Sequence, residues 1–224
     1  MEPTAEQLRK LYDHRFSARE RVRKDSLWKV LCEDFFQKWV SETDSVIDLG
    51  AGYCEFINYI RAARKFAVDL NDETPQAAAS DVTVVLTAAD QLTAFEDNSI
   101  DVVFTSNLFE HIRSKDELVS ILREVHRVLR PGKRILVLMP NIRYAYKEYW
   151  DYFDHHLPLS HHSLAEVLEL TDFRVTDVRS RFLPYTFKTK LPQTQLLLRI
   201  YLRLPLLHRF FGRQMFVVAE KVSA

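Results

Sequence analysis

Glycine is scarce in this chain. Only four of its 224 residues are glycine, where average usage of about 7% would give roughly sixteen. Collagen-like, glycine-rich linker and blade-repeat architectures are thereby excluded, and each glycine present is expected to hold a backbone shape that other residues resist. Two of them, Gly50 and Gly52, stand one residue apart. Cysteine is almost missing too. Cys32 and Cys54 provide no disulfide framework, which suits a reducing compartment. Arginines break the one long apolar stretch, 196–211, so nothing approaches the ~18 uninterrupted apolar residues of a membrane span. The opening Met-Glu-Pro-Thr-Ala-Glu lacks the basic-then-apolar pattern of a secretory leader, and a cytoplasmic location is expected. Charge of one sign is not in excess either: 31 basic and 31 acidic residues cancel, so there is no global nucleic-acid signature. The cancellation hides an asymmetry. From Arg181 to Ala224 eight basic residues face one acid, giving +7, so residues 1–180 carry −7.

The 47% hydrophobic content is enough to fill a core, which sets this chain apart from disordered tails. Residues 4–41 show helical spacing, with Leu8, Leu11 and Tyr12 followed by Trp28, Leu31, Phe35 and Trp39. From Ser45 the texture changes to short β-branched runs alternating with helical patterns. Strands are expected at Val46–Leu49, Phe66–Asp69, Val82–Leu86, Ile100–Phe104 and Ile135–Leu138, and again at Phe173–Phe182 and Met215–Val222. A helix is expected over Phe56–Ile60. Ser114 with Glu117 forms a capping box before the apolar face Leu118, Ile121, Leu122, Val125 and Leu129, and Pro131-Gly132 closes that helix. A second box, Ser163 with Glu166, opens a shorter one. Strand and helix in alternation with short joints specify a doubly wound, parallel α/β sheet, whose ligand sits beyond the carboxyl ends of the strands where strand order reverses.

The residues after each strand are therefore decisive. Asp48-Leu49-Gly50-Ala51-Gly52 follows the first. Glycines there permit a tight strand-to-helix turn and let a ligand approach backbone N–H groups at a helix N-terminus. Asp69 ends the second strand, seventeen residues past Gly52, where a carboxylate can accept both hydroxyls of a ribose. Ala89-Asp90 follows the third and Thr105-Ser106-Asn107 the fourth. Acids end three of these segments and the loops carry no base, which favours a nucleoside ligand without phosphates. A dinucleotide fingerprint starting at Gly50 needs glycine at position 55, where the chain has Glu55. A nicotinamide-dependent oxidoreductase is thus disfavoured.

These segments resemble the class I S-adenosylmethionine-dependent methyltransferases, in particular their small-molecule subgroup. The resemblance runs from about Ser45 to Leu170. Val46–Gly52, Ala67–Asn71, Asp90, Ile100–Phe104 with Asn107–His111, Leu122–Val125 with Leu129–Gly132, and Ser163-Leu164 with Leu168 carry it. It implies a Rossmann-like, seven-stranded, mostly parallel sheet with an antiparallel last strand, and S-adenosylmethionine as cofactor with S-adenosylhomocysteine as product. By the same resemblance Gly50 and Gly52 face the methionine moiety, Asp69 holds the ribose, Asp90 meets the adenine amine and Asn107 lies beneath the cofactor. Asp48, Ala51 and Leu70 complete the expected cofactor set. One departure stands out: Cys54 occupies a position where relatives often have a third glycine.

For the acceptor, a base is needed only if the accepting atom must lose a proton. His111 follows the fourth strand and can face the transferred methyl. The stretch Tyr149–His162 is dense in aromatic and histidine residues, and relatives often cover the acceptor pocket there. His111, His155 and His156 are the expected catalytic residues, while His161 and His162 read as residues ahead of a helix. Neither spacing nor cysteine specifies a metal, and none is expected.

Three regions are expected: an N-terminal helical extension or lid at 1–43, a core formed by 44–183 with 214–224, and a basic amphipathic insertion at 184–213. Within the insertion Gln195–Leu204 is helix-compatible, Arg199 and Arg203 share one face, and Pro205 breaks the helix. Such a segment suits an anionic membrane surface or a second copy of the chain. The function expected is methylation of a small molecule, on oxygen of a sugar, polyketide-like or lipid-linked metabolite. An N-methyltransferase and a catalytically silent cofactor-binding scaffold are the alternatives. Small-molecule acceptors are expected as partners and nucleic acid is not.

Overall fold

Every residue of β1 (Ser45–Leu49) is buried, as a strand covered on both faces requires. It is the centre of a computed structural model that describes residues 18–185 and 194–222. β2 (Arg64–Asp69) and β4 (Ile100–Ser106) flank it, both parallel to it. β3 (Val82–Leu86) lies outside β2, and β5 (Leu129–Pro140) lies beyond β4. β7 (Gln214–Lys221) pairs antiparallel with β5 and with β6 (Phe173–Arg179). Among the described residues the sheet thus has seven strands in the order β3-β2-β1-β4-β5-β7-β6. The expected doubly wound sheet with an antiparallel last strand is found.

Alternation along the strands divides the core in two. Ile47, Val103, Ile135, Val137 and Val217 point to one face, against Leu118, Ile121, Leu122 and Val125 of α3 (Lys115–Val128) and Leu164 and Leu168 of α5 (His161–Leu170). Val46, Val102, Phe104, Leu136 and Phe216 point to the other. There they meet Leu27, Trp28 and Leu31 of α1 (Ala18–Asp34) and Leu198 of α6 (Gln195–Arg203). Aromatic rings fill this second layer. Phe56 stacks on Phe104 with centroids 3.7 Å apart, and Phe36 lies 5.1 Å from Phe104. α6 is tied to α1 by Arg199, which binds Asp34 and also Glu33 at 3.2 Å. Two short helices, α2 (Thr74–Ala77) and α4 (Ile142–Tyr149), and a seven-residue helix, α7 (Pro205–Phe211), complete the described elements. Pro205 both ends α6 and sits at the first position of α7, where its missing N–H costs nothing.

Several sequence expectations need correction. Residues 52–60 form successive turns, not the expected helix over Phe56–Ile60. Gly52 (φ +51°) and Cys54 (φ +61°) are left-handed, so the chain enters Phe56–Ile60 with no helical turn before it to extend. β5 runs back through Pro131-Gly132 to Leu129, with a register shift opposite Ile100/Val102. The helix before it ends at Val128. The second capping box is Ser160 with Ser163, which places His161 and His162 inside α5. Residues 4–17 of the N-terminal helix, with Leu8, Leu11 and Tyr12, and residues 186–193, with Lys188 and Lys190, lie outside the described residues. Among the described residues no helix is long and apolar enough to cross a membrane.

At the amino ends of the strands Asp101 joins β4 to its neighbours. Its carboxylate accepts from Ser45 N (2.9 Å) and Arg130 Nη1 (2.6 Å), with Lys133 Nζ at 3.1 Å. Burial raises its pKa, but these three donors outweigh burial and hold it below the usual carboxylate value. Asp101→Asn is expected to lower stability by about 1.5–3 kcal/mol at neutral pH. Because the folded pKa is depressed, this contribution is present above the unfolded value of about 3.9 and is lost as pH falls through the folded one. Denaturant midpoints of the two proteins should therefore converge in acid below about pH 4.

Candidate active site

Strand order reverses between β1 and β4, and the carboxyl ends of these strands open the crevice where such sheets bind ligands. Gly50 N and Ala51 N both donate to Val68 O, at 2.9 and 3.2 Å. Gly52 N donates to Asp69 Oδ2 at 2.7 Å, and Asn71 N donates to Asp69 Oδ1 at 2.8 Å. The chain reverses through left-handed residues at Gly50 (φ +75°), Gly52 and Cys54. Here a glycine position is occupied by cysteine at a conformational cost of about 1–2 kcal/mol, with the Cys54 side chain fully buried. The N–H groups that the sequence suggests for a ligand are thus all bonded within the protein.

A shallow groove of about 140 Å³ lies beside this turn, lined by Gly50, Asp69, Leu70, Asp90, Leu108 and Ile112 together with residues of β2, α3 and the loop after β3. A larger hollow of about 410 Å³ lies beside Glu42, Arg61, Lys65 and Asp81. It sits at the amino ends of β2 and β3, away from the switch point, and has no bearing on the site. Of the expected cofactor set, Gly50, Asp69, Leu70 and Asp90 meet at the groove. Ala51 is buried behind the turn. Asp48 lies beneath it, 3% exposed. Burial and then the nearby Glu55 push its pKa well up, against an opposing hydrogen bond from the Ile57 backbone. Asn107 is left-handed (φ +53°), and its amide donates to Ser106 Oγ.

On the other side of Leu108, the short helical turn Phe109–His111 carries two polar side chains inward. Glu110 is 1% exposed, and its Oε2 has no hydrogen-bond partner among the described residues. Burial is the main cause raising its pKa, to about 7. His111 Nδ1 lies 3.0 Å from Asp154 O and 3.3 Å from Asp154 Oδ2. Burial alone would lower the His111 pKa, but Asp154 and Glu110 overcome it and raise it. His155 is buried, its ring 5.0 Å from that of His111, 4.6 Å from Tyr149 and 5.0 Å from Tyr152. His156 does not join this cluster. Its side chain is exposed, and its backbone N–H donates to Glu110 O at 2.7 Å. His161 is equally apart, bonded to Asn141 Nδ2 at 3.0 Å.

Residues 47–137 match the family model described as a methyltransferase domain. Among solved structures, an S-adenosylmethionine-dependent methyltransferase from Archaeoglobus fulgidus superposes with a TM-score of 0.67 at 20% identity, covering 95% of this chain and 99% of its own. A chain in the complex of the Haloferax volcanii Trm112 methyltransferase activator with its methyltransferase gives 0.67 at 19%, covering 92% and 95%. A geranyl diphosphate methyltransferase with its substrate and sinefungin gives 0.58 at 15%, covering 91% and 79%. No curated sequence matches. The chain thus carries a stretch matching a methyltransferase domain and has the fold of the S-adenosylmethionine-dependent methyltransferases.

The lining of the groove fits S-adenosylmethionine, the cofactor of proteins with this fold. Three acids, Asp69, Asp90 and Glu117, line it and no basic residue does, which suits a cationic nucleoside and not a phosphate. The bare Cα of Gly50 leaves room that a Cβ would fill, coming within 3.1 Å of Leu108 Cδ1. Sequence reasoning passed over Glu110, Asp154 and Tyr149 as site residues. A signal existed: Glu110-His111 and Asp154-His155 are two acid–histidine pairs, the first following β4 and the second the helix after β5. Gly50→Ala is expected to lose about 1–2 kcal/mol of stability from the left-handed backbone. It should also weaken S-adenosylhomocysteine binding by about tenfold or more, equivalent to ~1.4 kcal/mol or more, as measured by titration calorimetry.

Proposed function

We propose that this methyltransferase acts on oxygen of a small-molecule acceptor, a hydroxyl on a sugar, a polyketide-like or a lipid-linked metabolite. The observation that carries the reading is the buried Glu110–His111–Asp154–His155 cluster, two residues beyond the groove-lining Leu108. A hydroxyl must be activated by loss of its proton as it is methylated, whereas a neutral amine already offers its lone pair. The cofactor supplies a methyl group on a positively charged sulfonium. On this reading Gly50 and Gly52 shape the turn that receives its methionine end, Asp69 binds the ribose hydroxyls and Asp90 meets the adenine amine. Asp154 fixes the His111 ring through Nδ1, and His155 stands beside it. Exposed Tyr146, Trp150 and Phe153 offer flat apolar surface to an acceptor arriving over α4 and the loop after it, and exclude water once it is seated.

Incubation with methyl-labelled cofactor and host extract should give a labelled methyl ether. Exclusive labelling of amines would overturn the oxygen assignment. His111→Ala should lower turnover by about 10²–10⁴-fold and leave S-adenosylhomocysteine affinity unchanged. Asp69→Asn, which keeps an acceptor for the Gly52 N–H, should raise KM for the cofactor with a smaller effect on kcat. An unchanged KM would remove Asp69 from the ribose.

The α6–α7 segment supports a second reading, contact with an anionic lipid surface. Leu196, Leu206 and Phe210 are each about two-thirds exposed, and Leu204 and Phe211 about half. Arg203 and Arg209 belong to the same segment, and no acid occurs from Arg181 to Ala219. Exposed apolar side chains flanked by unopposed arginines suit an acidic membrane face, where an acceptor with a lipid tail would be held. Co-sedimentation with vesicles containing phosphatidylserine is expected, with loss on Phe210→Glu. Equal binding to neutral vesicles, or a stable dimer buried through this face, would contradict it.

A further inference from the structure

We infer that Glu110, His111 and His155 form a binding site for one divalent transition-metal ion of the zinc, cobalt or manganese class. One ligand atom from each of the three lies within 4.8 Å of those of the other two. Ligands at about 2.0–2.2 Å from a common tetrahedral ion stand about 3.3–3.6 Å apart, so side-chain rotations that move the ligand atoms by about 1 Å close the set. The scaffold for it is already built. Glu110 and His111 come from the turn after β4 and His155 from the loop after α4. The two segments are joined by bonds from His156 N and Leu157 N to Glu110 O, at 2.7 and 3.2 Å.

Three further observations point to an ion. The Oε2 of Glu110 is buried without a hydrogen-bond donor among the described residues, a position that leaves a carboxylate oxygen costly unless a proton or a cation meets it. His111 Nδ1 is engaged by the Asp154 carbonyl and carboxylate. That is how metal-ligating histidines are held by a second layer, with Nε2 left for the metal. Third, two imidazoles and one carboxylate suit zinc, cobalt, iron or manganese, where an all-oxygen site would suit calcium or magnesium. Three protein ligands leave an open coordination position, as in catalytic metal sites, and the His111 side chain keeps 23% of its surface exposed. The role of the ion, though not its presence, rests on the O-methyltransferase reading. The acceptor hydroxyl takes the open position, its pKa falls on the metal, and its proton leaves to solvent.

The test uses the tag-free chain, stripped by chelator and titrated with CoCl2, read by visible d–d absorption. One cobalt ion per chain is expected. Glu110→Gln and His155→Ala should abolish the saturable band, and Asp154→Ala should weaken binding by about 10–100-fold. His162→Ala, exposed and outside the cluster, should leave it unchanged. Retained S-adenosylhomocysteine binding shows that a variant is folded. A band absent from the unsubstituted chain, or persisting in folded Glu110→Gln and His155→Ala, overturns the site. Native mass spectrometry with ZnCl2 on the unsubstituted chain is independent of the variants: one retained ion supports the site and none overturns it. Full-rate oxygen methylation by metal-free enzyme would overturn the role of the ion while leaving the O-methyltransferase reading intact. Cobalt binding with amine-only methylation would keep the site and sink that reading.

Discussion

The carboxylate of Asp69 ties two strands of the switch-point crevice together. One oxygen holds Gly52 N–H and the other Asn71 N–H, so the end of β2 fixes the turn that leaves β1. Gly50 N and Ala51 N add two bonds to Val68 O of the same strand. The turn reverses through left-handed residues, which is why glycine is kept there in a chain that otherwise avoids it. Bonding the turn's N–H groups inward has a chemical consequence. The Gly50, Ala51 and Gly52 amides are not free to face the groove, and the charged residues lining it are acidic. Phosphate-rich ligands are unsuited to such a lining, and a positively charged sulfonium nucleoside is suited to it.

The polar cluster, where we propose that the acceptor binds, is built on the neighbouring strand by the same economy. β4 ends at Ser106, the chain turns through left-handed Asn107, and Leu108 closes the groove. The next residues are the polar cluster. Its partner loop, after α4, is pinned to it by backbone bonds to Glu110 O. The groove and the polar cluster are thus separated by one or two residues of a single turn. Methyl transfer depends on positioning and dry surroundings more than on covalent participation by the protein, and on the proposed reading this spacing would supply the positioning.

The sequence made much of the cofactor half legible, and less of the acceptor half, for physical reasons. Strands such as Val46–Leu49 are short, β-branched and buried on both faces, so their pattern is strong. The acid at Asp69 was expected for a ribose, and its position at the groove agrees with that expectation without testing it. The helix over Phe56–Ile60 is not formed, and left-handed Gly52 and Cys54 leave it no preceding turn to extend. Composition alone does not reveal a cysteine in that conformation. The Ser163–Glu166 box lost to Ser160 with Ser163 because two serines three residues apart can satisfy the same N–H groups one turn earlier. Glu110 escaped notice because a carboxylate after a strand reads as a solvated cap, and only the tertiary cover of Tyr149 and the loop after α4 buries it. His155 and His156 are adjacent in sequence, yet one side chain enters the cluster and its neighbour faces solvent. Only the path of the loop decides that.

Direct calorimetric titration tests the account most plainly. S-adenosylhomocysteine should bind at one site per chain, and NAD should not bind. Saturable NAD binding with no heat from S-adenosylhomocysteine would contradict the assignment of the groove.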